Sequence, residues 1–183
     1  MTVLLVSESY FGNTLTVAKA IAAGLVEARG QEAVTLARPS EAPIGSDVDL
    51  LLVGAPTHNF SMPKEQTRKQ AAAKGATGGD RVGIREWIER VTPRTNLRVV
   101  TFDTSLKTKF TPGSASNAAF KALKKCGFRG PNEGRVSSSA ASPGLWSTAR
   151  NNAQRPGVFS WEARRRRSPS RNVVTGVRLT ARA

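Results

Sequence analysis

The chain has 183 residues, one cysteine, and 28 basic against 13 acidic side chains, a net charge of +15. That length suits one ordinary domain with a tail, and it buries a core without disulfides or structural metal. The single cysteine excludes a disulfide framework and a cysteine-rich zinc site, no apolar run approaches the ~18 residues of a membrane span, and the start lacks a secretory signal's basic region. These features together predict a cytoplasmic protein.

Thr2–Val6 is a short apolar run and reads as a buried strand. Ser7–Gly12 is polar and reads as a loop. From Asn13 the period becomes helical, with Leu15, Ala18, Ala22 and Leu25 on one face and a stop before Gly30. Glu32–Ala37 reads as a second strand, and Pro39, Pro43 and Gly45 mark a loop. Val48–Gly54 is nearly continuous in apolar residues, as a strand covered on both faces would be. Pro56–Gly79 reads as a long polar loop with a helical turn near Glu65–Lys74. Asp80 is placed to cap a helix carrying Ile84, Trp87, Ile88 and Val91 at i, i+3, i+4 and i+7. Leu97–Phe102 is a fourth strand. Ser114 is placed to cap a last helix with Ala115, Ala118, Ala119, Ala122, Leu123 and Cys126 inward.

A composition boundary falls near Gly130-Pro131. Residues 1–130 hold 18 basic and 11 acidic side chains, net +7, and residues 131–183 hold 10 and 2, net +8. The second segment has no Lys, Ile or Asp, is rich in Arg, Ser and Pro, and reads as a disordered tail. Only Asn172–Thr180 within it has the pattern of a weak strand. The expected organisation is therefore a domain at 1–130 and a tail at 131–183.

Strands alternating with helices argue for an open parallel α/β sheet with right-handed crossovers. Ligands bind such sheets in loops at the carboxyl ends of the strands. Three loops qualify: Ser7–Asn13, Ala55–Pro63 and Asp103–Gly113. The first joins a buried strand to a helix N-terminus, where free N–H groups and the helix dipole suit a phosphate monoester. Ser9, Asn13 and Thr14 add short donors. The loop matches neither G-x-x-x-x-G-K-[ST] nor G-x-G-x-x-G, and simple helix capping explains Asn13 and Thr14 equally well. The second loop carries the chain's one histidine, His58, and a ring, Phe60, able to stack on a planar ligand. His58 has no nucleophile partner and no second metal-ligating residue at suitable spacing, so neither a catalytic residue nor a metal site is assigned. The third loop offers backbone groups, and reads equally well as a plain crossover.

Val3–Thr14, Gly54–His58, and Thr101–Thr104 followed by Gly113–Ala115 together resemble the flavodoxin-like family over about residues 2–129. The similarity is to single-domain members from high-GC bacteria. It implies a three-layer sandwich with strand order 2-1-3-4-5 and non-covalent FMN at the carboxyl edge. By that resemblance Ser9, Tyr10, Gly12, Asn13 and Thr14 hold the phosphate. Pro56, Thr57, His58, Asn59 and Phe60 flank the isoalloxazine, and Phe102, Asp103 and Thr104 close its other side. The implied role is electron transfer to a redox partner protein, or flavin-dependent reduction of a small acceptor such as a quinone.

Two departures from the family pattern stand out. Tyr10 and Phe11 replace small residues of the usual phosphate loop. The family's fifth strand and last helix are expected to be missing, because an Arg/Ser/Pro-rich segment occupies their place. A shift of reading frame near Gly130 in a GC-rich gene would produce that composition, and with it a damaged member with impaired FMN binding. A third reading is a nucleic-acid or acidic-surface binder driven by the basic tail. The absence of any nucleic-acid motif and of aromatics laddered among the basic residues disfavours it.

Overall fold

The computed structural model describes residues 1–78, 82–106 and 112–128, together with the backbone of 133–140, 161–165 and 174–179. Strands β1 (Thr2–Ser7), β2 (Val34–Ala37), β3 (Val48–Pro56), β4 (Arg98–Leu106) and β5 (Glu133–Ala140) form one sheet in the order β2-β1-β3-β4-β5. Every neighbouring pair in it is parallel. The helices are α1 (Asn13–Arg29), α2 (Glu65–Ala73), α3 (Ile84–Arg90) and α4 (Ala115–Lys125). None of the described helices is long and apolar enough to cross a membrane.

The period of two along each strand divides the core. Val3 and Leu5 of β1, Leu50 and Leu52 of β3 and Phe102 of β4 share one face with Ala18 of α1. Leu4, Val6, Leu51, Val53 and Val99 share the other with Ile84, Trp87 and Ile88 of α3 and Ala115, Ala119 and Leu123 of α4. The sheet is thus the middle of three layers. Trp87 is buried, and its Nε1–H donates to the Ala42 carbonyl at 2.7 Å, which satisfies the indole's one polar group.

Several boundaries differ from the sequence expectation. β2 starts at Val34 because Gln31–Ala33 closes a single 3₁₀ turn instead. Helix α1 presents Val17, Ala18, Ile21, Ala22, Leu25 and Val26 to the sheet, and Leu15 falls outside that face. The expected helical turn near Glu65 is a helix of 9 residues. Asp80 lies outside the described residues, and the residue at the α3 N-cap is Gly83, whose N–H donates to Glu86 Oε2 at 3.0 Å. Ser114 caps α4 as expected, its Oγ accepting from Asn117 N at 3.2 Å.

The missing fifth strand is the main correction. Residues 133–140 run parallel to β4, from Val99 opposite Glu133 to Leu106 opposite Ala140. Their sequence, EGRVSSSA, has one large apolar residue and no clear alternation, so the pattern hid the strand. Ladder hydrogen bonds use backbone groups that every residue except proline supplies, and β4 without a neighbour presents a row of them. The strand arises beyond the composition boundary near Gly130. No helix follows α4 among the described residues. β6 (Trp161–Arg165) and β7 (Val174–Leu179) form a separate antiparallel pair, β7 falling inside the weak strand pattern at Asn172–Thr180.

Candidate functional site

The three loops meet at the carboxyl edge of the sheet, laced by short polar contacts; residues 107–111 of the third lie outside the described residues. Thr14 and Thr104 share a hydroxyl–hydroxyl hydrogen bond of 2.8 Å, joining the first loop to the third. Thr57 N donates to the Thr104 carbonyl at 2.8 Å, joining the second to the third. Thr57 Oγ1 accepts from Ala115 N at 2.9 Å, and Asp103 Oδ2 accepts from Ser116 N at 2.8 Å, so both loops also hold the first turn of α4. The Tyr10 and His58 rings lie 5.1 Å apart at 38°, which joins the second loop to the first.

The first loop leads into α1 through Gly12, whose φ is 85°. Thr16 N makes the first helical bond, to the Gly12 carbonyl at 2.9 Å. None of the backbone N–H groups from Ser9 to Thr14 donates to another described residue. Ser9 Oγ is buried and also has no partner among them. Donors that have no acceptor among the described residues, set at the positive end of a 17-residue helix, are chemically suited to an anion, and the run contains no lysine or arginine.

The second loop reverses tightly. His58 N donates to the Ser61 carbonyl and Ser61 N to the His58 carbonyl, each at 3.0 Å. Asn59 and Phe60 between them have φ of 49° and 59°, both left-handed, as in a type I′ turn. A bulky residue there is strained, and the strained residue is the one that points an exposed ring from the site's rim. Phe11 of the first loop and Leu106 at the end of β4 are exposed on the same edge.

The structure thus distributes the thirteen expected residues unevenly. Ser9, Gly12 and Asn13 line the free-donor loop. Pro56, His58, Asn59 and Phe60 border the second loop, with Phe60 exposed. The hydroxyls of Thr14, Thr57 and Thr104 and the carboxylate of Asp103 are engaged in holding the loops together. Tyr10 is buried with its hydroxyl on Glu8, so it faces inward and only its N–H joins the free donors. Phe102 is 2% exposed and packs in the α1-side core, and of its side chain nothing reaches the edge.

Beneath the first loop lies a charged cluster that the sequence reading missed. Glu8 is 6% exposed and accepts from the Tyr10 hydroxyl and, at 2.8 Å, from Ile84 N. Arg68 is 8% exposed; its Nη1 stands 3.6 Å from Glu8 Oε1, and its Nη2 donates to Glu86 Oε1 at 2.5 Å. Burial raises the Glu8 carboxyl's pKa against the pull of Tyr10, Ile84 N and Arg68, and burial with Glu8 keeps Tyr10 protonated well above its ordinary range. Burial alone would raise Glu86 too, but Arg68 and the Gly83 N–H hold it below the usual value. Gly83 makes the room: a Cβ there would lie 2.4 Å from Arg68 Nη1 and 2.7 Å from Glu8 Oε1. No sequence signal joins these residues, since Glu8 and Ile84 are 76 positions apart.

Comparison with solved structures places the architecture. A flavodoxin from the domain Archaea superposes with a TM-score of 0.50 at 16% identity, covering 82% of this chain and 92% of that one. The fold is flavodoxin-like. The rubredoxin oxygen:oxidoreductase of the anaerobe Desulfovibrio gigas gives a TM-score of 0.44 at 15% identity, and the match covers 84% of this chain and 34% of that chain. No protein-family profile and no curated protein sequence matches. In the flavodoxin-like frame, the strand order expected from the resemblance, 2-1-3-4-5, is the one observed.

His58 gives this edge a pH signature. Burial lowers its pKa, so the native state binds the proton more weakly than the unfolded chain does. The stability this contributes is complete above the ordinary histidine value of ~6.5 and is lost as pH falls through it toward the depressed native value. Urea midpoints taken at about pH 7.5 and about pH 5.5 should fall more for the wild type than for His58→Phe. Equal falls would contradict the assignment, and with one histidine in the chain no other imidazole confuses it.

Proposed function

We propose that this chain binds FMN non-covalently at the carboxyl edge of its sheet and serves in electron transfer or flavin-dependent redox chemistry. The observation that carries the reading is the unbroken run of N–H groups from Ser9 to Thr14 that have no acceptor among the described residues, with Ser9 Oγ, likewise without a partner among them, beside it. That donor set fits the dianionic phosphate of FMN. Phe60 and His58 provide aromatic surface for the flat ring system, and Thr57 and Thr104 hold the loops that would border it. Bound FMN supplies the redox chemistry; the protein's part is to hold it and shield its ring. No side chain is required as an acid or base.

Titrating FMN into the purified protein should quench flavin fluorescence and shift its visible bands. Unquenched fluorescence at saturating protein would overturn the proposal. A steady-state assay with NAD(P)H and a quinone then separates the two roles, since a carrier turns over little without its reductase. The net +7 of residues 1–130 favours an acidic redox partner in the carrier case.

The composition of residues 131–183 favours a second reading, a damaged member of the family from a high-GC bacterium whose frame shifts near Gly130 and whose FMN binding is impaired. On that reading 1–130 is the inherited domain and the remainder a foreign tail. The gene's other frames should then encode an apolar strand and an amphipathic helix after codon 130, and their absence would rule out the shift.

A further inference from the structure

We infer that Arg68 and Glu8 set how strongly the first loop prefers a phosphate-bearing ligand, Arg68 acting as a positioning and charge-balancing residue from behind the loop. The inference rests on the proposed FMN site and goes further by assigning its phosphate selectivity. Glu8 opens the loop whose N–H groups form the cradle, and it is buried. The groups that the described residues set against its carboxylate, the Tyr10 hydroxyl, Ile84 N and the Arg68 guanidinium, are all donors, which favour its ionised form against burial and the nearby Glu86 carboxylate. A buried negative charge at the root of an anion cradle opposes the anion, and the opposition is strong where water is excluded. Within the described cluster Arg68 is the compensating cation. It stands between Glu8 and Glu86, the latter on α3, and is itself buried.

The cluster also shapes the loop. The Tyr10 hydroxyl reaches down to Glu8, and the Tyr10 carbonyl accepts from Gly78 N at 3.2 Å. Both of its polar ends other than the N–H are therefore committed inward or sideways, while that N–H has no acceptor among the described residues. The arrangement takes a bulky residue, tyrosine, in a loop that must expose backbone, and anchors it underneath. Glu8 holds the tyrosine, and Arg68 makes the carboxylate that does so compatible with a bound dianion.

The test compares FMN with riboflavin, which carries the same ring without the phosphate. Dissociation constants for both are measured by fluorescence quenching for the wild type, Glu8→Gln and Arg68→Met. Glu8→Gln removes a negative charge and should raise the preference for FMN over riboflavin by roughly tenfold, the scale of one charge acting across a partly buried site. Arg68→Met leaves Glu8 and Glu86 uncompensated and should lower the preference by a similar factor. Opposite shifts are the decisive sign, because general damage to the loop would move both variants the same way. Glu8→Gln stands on its own if Arg68→Met folds poorly. A preference that falls or stays unchanged in Glu8→Gln overturns the inference while leaving the FMN site intact. A wild type that binds neither flavin overturns the FMN site and this inference with it.

Discussion

Replacing Arg68 with methionine should destabilise the protein by about 3–5 kcal/mol, the cost of stranding a buried charge when its partner is removed. Arg68 is 8% exposed and its guanidinium serves two carboxylates, at 3.6 Å and 2.5 Å. Methionine fills most of the volume, so packing changes little and the loss is electrostatic. Glu8 then keeps its hydrogen bonds from Tyr10 and Ile84 N with no counter-charge among the described residues, and Glu86 retains the Gly83 N–H. Glu86 is partly open to water and contributes the smaller share. The double variant Glu8→Gln/Arg68→Met should therefore recover a large part of the loss, because the stranded charge is gone. Denaturant melts of the two single variants and the double one give the coupling directly. Additive losses would show that Arg68 acts through packing alone.

Gly54→Ala should also be costly, by about 1–3 kcal/mol or more from overpacking. Gly54 stands opposite Phe102 in the β3–β4 register, and the Phe102 ring folds across it. A Cβ at Gly54 would lie 2.0 Å from the ring's Cζ. The ring has nowhere to go, being 2% exposed within the same cluster as Val3, Leu5 and Leu52. Either Phe102 leaves its rotamer or β3 and β4 shift. The Gly54 carbonyl accepts from Glu8 N at 2.9 Å, so a shift passes straight to the first loop. Gly54→Ala should then weaken FMN binding as well as stability, and Phe102→Leu in the same chain should restore part of both. A Gly54→Ala protein that melts with the wild type would show that the contact relaxes freely.

Much of the architecture was legible because it rests on local signals. Val48–Gly54 read as a central strand from its unbroken apolar run, and Ser114 read as a cap from its position before an alanine-rich face. Ile84, Trp87 and Ile88 met the core as their spacing predicted. What failed were features that depend on a neighbour. The period of α1 allowed two adjoining stripes, and packing chose the one with Val17, Ile21 and Val26 over the one with Leu15. The serines of 137–139 gave no strand pattern, yet the open edge of β4 pairs with them. The family resemblance set Phe102 beside the flavin, whereas its buried ring lies across Gly54, which has no side chain to keep it out.

The sequence by itself determined the alternation of strands and helices, the parallel sheet, and the three loops at its carboxyl edge, since periodicity and turn chemistry act over a few residues. Its +15 charge proved a weaker guide than those loops, because more than half of it belongs to 131–183. Only the tertiary structure decided which loop groups remain free. Thr14, Thr57 and Asp103 are occupied by partners between 13 and 90 positions away, while the N–H groups of Ser9 to Thr14 have no acceptor among the described residues. Only the tertiary structure set Arg68 between Glu8 and Glu86 as well. Buried charges find one another across the fold because each is too costly to leave alone, and no spacing along the chain records that pairing.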